Sequence, residues 1–130
     1  MIPTTTNINA VSETDSEKFY DMCMIERLCH NNEERIKKLV SVFIEQMPQT
    51  VEEIKQAYAK RDFAVVRKTA HRIKPTLSYY AIIKIEKDIQ QIEKMAKGEV
   101  DTADMELKII KLDIVVGEVV KKMKQDYFNN

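Results

Sequence analysis

The sequence contains few of the residues that make tight turns. Two glycines and three prolines are 5 of the 130 residues, about 4%, whereas the two residue types together average roughly 12% of protein sequences. This scarcity disfavours β-sandwiches, barrels and glycine-rich phosphate loops. No run approaches the ~18 consecutive apolar residues of a transmembrane helix. Because 21 basic residues balance 21 acidic ones, the molecule as a whole has no field to attract nucleic acid or anionic lipid.

Cysteine is also scarce. Cys23 and Cys29 are too few to form a disulfide scaffold, and with His30 they give three potential metal ligands without a fourth at zinc-like spacing, so no metal site is predicted. Residues 1–17 lack the basic start and the apolar stretch of a secretory signal, and we expect them to form a mobile arm. The sequence therefore predicts a cytoplasmic protein with one domain over residues 18–130.

Hydrophobic residues make up 44% of the chain, and they recur every three or four residues, as in amphipathic helices. One short apolar stripe and four long ones follow each other with short connections. This pattern predicts an all-α fold, an antiparallel four-helix bundle preceded by a short N-terminal helix. The stripes consist of Phe19, Met22, Ile25 and Leu28; Ile36, Val40, Phe43, Met47, Val51, Ile54 and Tyr58; Phe63, Val66, Ala70, Ile73, Leu77 and Tyr80; Ile82, Ile85, Ile89, Ile92 and Ala96; and Met105, Ile109, Leu112, Val116, Val119 and Met123.

Capping residues and one proline define the first two long helices. Asn31 lies three residues before Glu34, the spacing of a capping box, and Asp62 is the expected N-cap of the next helix. Pro48 removes a backbone hydrogen bond, but the apolar stripe keeps its phase on both sides of it. We therefore predict one kinked helix from about residue 32 to residue 60.

The helix after Asp62 carries a histidine away from its apolar stripe. At about 100° per residue, His71 points roughly 130° from the mean direction of that stripe, so we expect it to be exposed. Cations near an imidazole suit a histidine that carries a dianionic phosphoryl group, whereas a solvated basic face is the alternative. Spacing alone leaves both open. Residues 63–85 contain no Asp or Glu, and their cations are Arg67, Lys68, Arg72, Lys74 and Lys84.

The segment LVSVFIEQMPQTVEEIKQAYAKRDFAVVRKTAHRIKPTLSYYAI, residues 39–82, resembles the signature of histidine-containing phosphotransfer (HPt) domains. That family has an aspartate before a central helix, then Ala-His-x-hydrophobic-Lys-Gly and a later glycine. The matching residues here are Asp62, Ala70, His71, Ile73 and Lys74.

Two positions depart from the family pattern. Pro75 replaces the glycine after the lysine, and Ala81 replaces the glycine six residues later. Proline removes the backbone bond to the carbonyl of His71 and is expected to bend the helix. Alanine does not easily adopt the left-handed conformation that glycine accepts. We expect these differences to change the local geometry more than the function.

The resemblance implies that the protein passes a phosphoryl group in a multistep phosphorelay. His71 would be the phosphoryl acceptor, and Lys74 would face the phosphoryl oxygens. The family implies no self-contained active site, since the catalytic carboxylates and Mg²⁺ belong to the receiver domain of a response regulator. The expected partners are receiver domains and a hybrid sensor histidine kinase. The alternative is a helical adaptor, a degenerate bundle whose histidine is not phosphorylated.

Helix geometry adds residues that could contact the phosphoryl group or the partner. Arg67, Pro75 and Ser78 lie within one or two turns of His71 on its side of the helix. Two of them are small enough to leave room for a partner's active site. Tyr79 is expected to face outward beside the basic residues and is a candidate partner contact.

The packing of the next helix can also be predicted. If the turn between the two helices is centred near residue 81, an antiparallel hairpin places His71 level with Gln91. Gln90 and Lys94 are then the other polar residues able to approach the ring, and Gln91 is the predicted contact. No carboxylate is expected at His71, because its own helix supplies none, and this argues against an enzyme with its own acid or base.

Overall fold

The computed structural model describes residues 19–98 and 103–128, and these residues form five helices without a strand. The helices are α1 (Cys23–Leu28), α2 (Glu33–Ala59), α3 (Phe63–Tyr79), α4 (Ile83–Lys97) and α5 (Ala103–Phe128). None of these helices is apolar over enough length to cross a membrane. The predicted arm, residues 1–17, lies outside the described residues.

The four long helices form a closed ring of neighbours. Helix α2 packs against α3 and α5, and α4 packs against the same two helices. Because short connections join successive helices, neighbours run antiparallel. The predicted antiparallel four-helix bundle with a short preceding helix is confirmed. Helix α2 also continues through Pro48, as the unbroken phase of its stripe predicts.

The four long stripes form the core. Every member is buried except Phe63, which is half-buried. Met47, Met105 and Met123 lie inside with the aliphatic residues and fill the interior as flexible apolar side chains. The short stripe was predicted less well. Leu28 is 55% exposed, because α1 has only six residues and ends at this position.

Helix α2 begins one residue later than the capping box predicts. The N-cap is Asn32, whose side chain accepts a hydrogen bond from the backbone N–H of Arg35. Asn31 instead adopts a left-handed conformation with φ of 58°, which asparagine tolerates better than most residues. The predicted N-cap of α3 is confirmed, since Asp62 accepts from the backbone N–H of Val65 at 3.3 Å.

The turn between α3 and α4 differs from the expectation for Ala81. Ala81 does adopt the left-handed conformation, with φ of 50°, although a side chain makes this unfavourable. The connection is only three residues long, from Tyr80 to Ile82, so its middle residue has to reverse the chain. Helix α3 continues through Pro75 to Tyr79.

The residues before α1 attach to this end of the bundle. The backbone N–H of Asp21 donates to the carbonyl of Tyr80 at 2.8 Å, and the Lys84 ammonium lies 4.4 Å from the centre of the Phe19 ring. The Tyr20 hydroxyl donates to the carboxylate of Asp126 at the end of α5. These contacts connect the α3–α4 turn to α5.

Candidate functional site

His71 lies on the solvent side of α3, with its side chain 69% exposed. This agrees with its position away from the apolar stripe. The Nδ1 atom of the ring lies 2.6 Å from Oε2 of Glu93, which belongs to α4. Because an ionised carboxylate only accepts hydrogen bonds, this contact places the proton on Nδ1 and leaves the lone pair on Nε2. Within the described part of the chain, Nε2 has no hydrogen-bond partner.

Glu93 holds two residues of α3 at once. Its Oε1 atom accepts a hydrogen bond from the Lys74 ammonium at 2.7 Å, while Oε2 contacts His71. The Glu93 side chain is 20% exposed and that of Lys74 is 34% exposed. The carboxylate therefore fixes the imidazole and the ammonium side by side, one turn apart on the same helix.

The charge of Glu93 is stabilised by these contacts. The hydrogen bond from Lys74 lowers the pKa of Glu93 below its usual value, and the hydrogen bond from His71 acts in the same direction. Partial burial opposes them but does not reverse the shift. Glu93 is therefore ionised at neutral pH, which is the state that can hold both partners.

The basic residues around His71 are partly neutralised by neighbouring helices. Arg72 pairs with Glu53 of α2 at 2.9 Å, and Lys74 pairs with Glu93 of α4. The absence of Asp and Glu from residues 63–85 therefore does not mean that the basic residues of α3 lack carboxylate partners. Arg67 and Lys68 are exposed, and no ion pair to either forms among residues 19–98 and 103–128.

The remaining predicted contact residues have different positions. Arg67, Pro75, Ser78 and Tyr79 are exposed on α3, whereas Gln91 on α4 is half-buried. Gln91 was predicted to approach the ring, but the residue that bonds His71 is Glu93. Contacts of these five side chains with a phosphoryl group or a partner remain predictions. In the described ranges, no group of three His, Cys, Asp or Glu side chains is placed to hold a metal ion.

An apolar groove lies on the side of α3 next to His71. It has a volume of about 530 Å³ and is formed by α1, α2 and α3. Arg72 and Thr76 line it on the α3 side. Its exposed apolar residues are Leu28, Leu39, Val42 and Tyr79. The groove places an apolar surface beside an exposed histidine. Tyr79, the candidate partner contact, is one of the residues that line it.

The comparison with protein families agrees with this geometry. The model of the Hpt domain matches residues 38–124, more than half of the chain, and the protein belongs to this family. Membership indicates a histidine phosphotransfer role in a phosphorelay, as a carrier rather than an enzyme, and interaction with receiver domains. Comparisons with curated proteins and with solved structures gave no match.

Proposed function

We propose that this protein carries a phosphoryl group on Nε2 of His71 between the aspartates of receiver domains in a multistep phosphorelay. The observation that carries the proposal is the exposed ring whose Nδ1 is held by Glu93, next to the Lys74 ammonium. This leaves one nucleophilic nitrogen accessible. The upstream donor is a hybrid sensor histidine kinase acting through its receiver domain.

The transfer step follows from these positions. The lone pair of Nε2 attacks the phosphorus of a receiver aspartyl phosphate, and the P–O bond breaks with its electron pair returning to the aspartate carboxylate. The Nδ1 proton stays on His71, where Glu93 stabilises the positive charge that develops on the ring, as a buried aspartate does in serine proteases. Lys74 lies beside the ring and compensates charge on the phosphoryl oxygens.

The rest of the reaction belongs to the partner. The receiver supplies the acceptor or donor aspartate, and Mg²⁺ bound there supplies further charge compensation. Positioning then contributes most of the catalysis on this chain. We expect the receiver to dock on the apolar groove between α1, α2 and α3. Arg72 and Thr76, which line this groove, belong to the same helix as His71, so a receiver bound there lies beside the histidine.

Substitution of the two histidines tests the proposal. The protein is incubated with a receiver domain loaded by radiolabelled acetyl phosphate, and acid-labile label on this chain is measured. We expect label on the wild type and on His30→Gln, but none on His71→Gln, which should keep the helical circular dichroism of the wild type because the side chain is exposed.

Two outcomes contradict the proposal. Label that persists on His71→Gln shows a different acceptor. A wild-type protein that binds receivers but never becomes labelled is the helical adaptor instead.

A further inference from the structure

Helix α5 carries a second apolar stripe on its outer face. Leu107 is 63% exposed, Ile110 is 48% exposed and Ile114 is 61% exposed. Ala103 precedes them and Gly117 follows them, both exposed, so the five positions are spaced 4, 3, 4 and 3 residues apart. This is the heptad spacing of a helix–helix seam. Apolar residues on two opposite faces are typical of an α-helix that is covered on both faces.

The stripe lies opposite the core and away from His71. On one edge, Asp113 of α5 pairs with Lys55 of α2 at 3.0 Å. On the other edge, Lys111 pairs with Asp88 of α4 at 2.8 Å. The stripe lies between these two edges and faces outward. Because α3 packs against α2 and α4, it is diagonally opposite α5, and a molecule on the stripe leaves His71 accessible.

We propose that the stripe binds the same stripe of a second copy of this chain, with the two α5 helices antiparallel. In one register Leu107 packs against Ile110 of the second copy, and Ile114 packs against the small Ala103 of the second copy. Two-fold symmetry repeats each contact. Large side chains then meet either each other or a small residue, as in an antiparallel coiled coil.

Charges at the edge of the stripe favour this register. It brings Asp104 close to Lys111 of the second copy twice, and these side chains are 63% and 52% exposed. A shift by one heptad instead places Lys111 beside its own symmetry mate and Asp104 beside Glu118. On the other edge Glu106 approaches Asp113 of the second copy. Asp113 is already paired with Lys55, as Lys111 is with Asp88, but an exposed ammonium has further donors for a second carboxylate. Complementarity between Asp104 and Lys111 therefore favours a second copy in this register over the shifted one.

The size of the stripe sets the expected strength. From Ala103 to Gly117 the helix rises about 21 Å, so one helix pair covers less than the roughly 800 Å² per partner that a stable complex buries. We expect a weak dimer, with a dissociation constant on the order of 10–1000 μM, rather than a permanent one. Its formation does not depend on the proposed phosphotransfer.

Sedimentation equilibrium of the full chain from about 10 μM to 1 mM tests this proposal. The wild type should rise from 15.2 kDa towards twice that mass. Ile110→Glu should remain monomeric at every concentration. The matched control is Ile83→Glu, because Ile83 is 68% exposed on α4 and is not part of the stripe, and it should associate as the wild type does.

A charge variant tests the register. Asp104→Lys should weaken association at least threefold, more at low salt, because the introduced ammonium repels Lys111 of the second copy where the carboxylate attracts it. Thermal melting of each variant checks that it is folded. The proposal is overturned by a wild type that is monomeric at 1 mM, by equal loss in Ile83→Glu, or by association that appears only after removal of residues 1–17, which would show that this segment covers the stripe.

Discussion

Replacing Ala81 by glycine should stabilise the protein. Ala81 has φ of 50°, and the left-handed conformation costs a residue with a Cβ atom about 1–2 kcal/mol. Glycine removes that strain but increases the entropy of the unfolded chain, which costs about 0.4–1 kcal/mol. The difference predicts a gain of about 0.5–1 kcal/mol in the free energy of unfolding, or a melting temperature about 2–5 °C higher.

Urea denaturation followed by circular dichroism measures this gain. Ala64→Gly is a matched control, since Ala64 is exposed in the right-handed first turn of α3, and it should destabilise by about 0.5–1 kcal/mol. Arg61 is a second comparison. It has φ of 56°, but its guanidinium donates to the carbonyl of Tyr58 at 2.7 Å and stacks on the Tyr58 ring, so Arg61→Gly should gain little or nothing.

The comparison of the two glycine variants decides whether Ala81 is strained in the native turn. If both glycine variants lose stability to the same extent, the strain at Ala81 is not real and the left-handed turn is not the native conformation. If Ala81→Gly is more stable, the turn geometry that aligns α3 with α4 is supported. That alignment is what brings Glu93 to His71.

Three further predictions concern single side chains. The pKa of Glu93 in the folded protein lies below its unfolded value. Its contacts therefore stabilise the protein above about pH 4.5, and this stabilisation is lost as the pH falls through the folded pKa. Glu93→Gln should flatten this part of the stability–pH curve, which urea denaturation measures. Lys74→Ala should slow phosphoryl transfer about ten- to a hundredfold in rapid-quench assays, the value of one charge-assisted hydrogen bond specific to the transition state, and an unchanged rate would limit Lys74 to a structural role. Gly117→Ala should raise the free energy of unfolding by about 0.5–1 kcal/mol, because a Cβ atom there meets nothing within 4 Å, and a loss would reveal a hidden neighbour.

The bundle could be predicted from the sequence because burial and helical periodicity agree along every long helix. The continuation of α2 through Pro48 was also predictable, because Met47 and Val51 keep the phase of the stripe on both sides of the proline and both are buried. The short first helix was less predictable. With six residues it has too few turns for periodicity to show which of its apolar residues will be covered, and Leu28 became part of an exposed groove.

Local backbone conformation was harder to predict than burial. Asn31 and Asn32 are chemically identical caps, so the sequence alone does not decide which of them ends in the left-handed conformation. Ala81 was expected to avoid that conformation on intrinsic preference. The short connection between α3 and α4 outweighs a preference of about 1–2 kcal/mol, since the packing of two long apolar stripes depends on it.

Glu93 was missed for a geometric reason. Reflecting α4 through residue 81 places the Cα atom of Glu93 level with residue 69, two positions from His71. Side chains in a helix lean towards its N-terminus, so Glu93 leans towards the turn while His71 leans away from it. The two side chains meet although their backbones are not level. When this tilt is included, the register of the hairpin places the side chain of Glu93 rather than that of Gln91 at the His71 ring.

The position of Glu93 also bears on the direction of transfer under the proposed function. In the unphosphorylated protein, the Lys74 ammonium neutralises this carboxylate at 2.7 Å, and the His71 ring donates a hydrogen bond to it at 2.6 Å. A dianionic phosphoryl group on Nε2 competes with Glu93 for the same ammonium, and Arg72 is already paired with Glu53. The phosphorylated state therefore has fewer cations than the sequence of α3 suggests. Such a site favours passing the phosphoryl group on over storing it. Glu93→Gln frees the Lys74 ammonium for the phosphoryl oxygens but also removes the carboxylate that stabilises the positive ring, so the sign of its effect on the transfer equilibrium shows which of the two contacts is stronger.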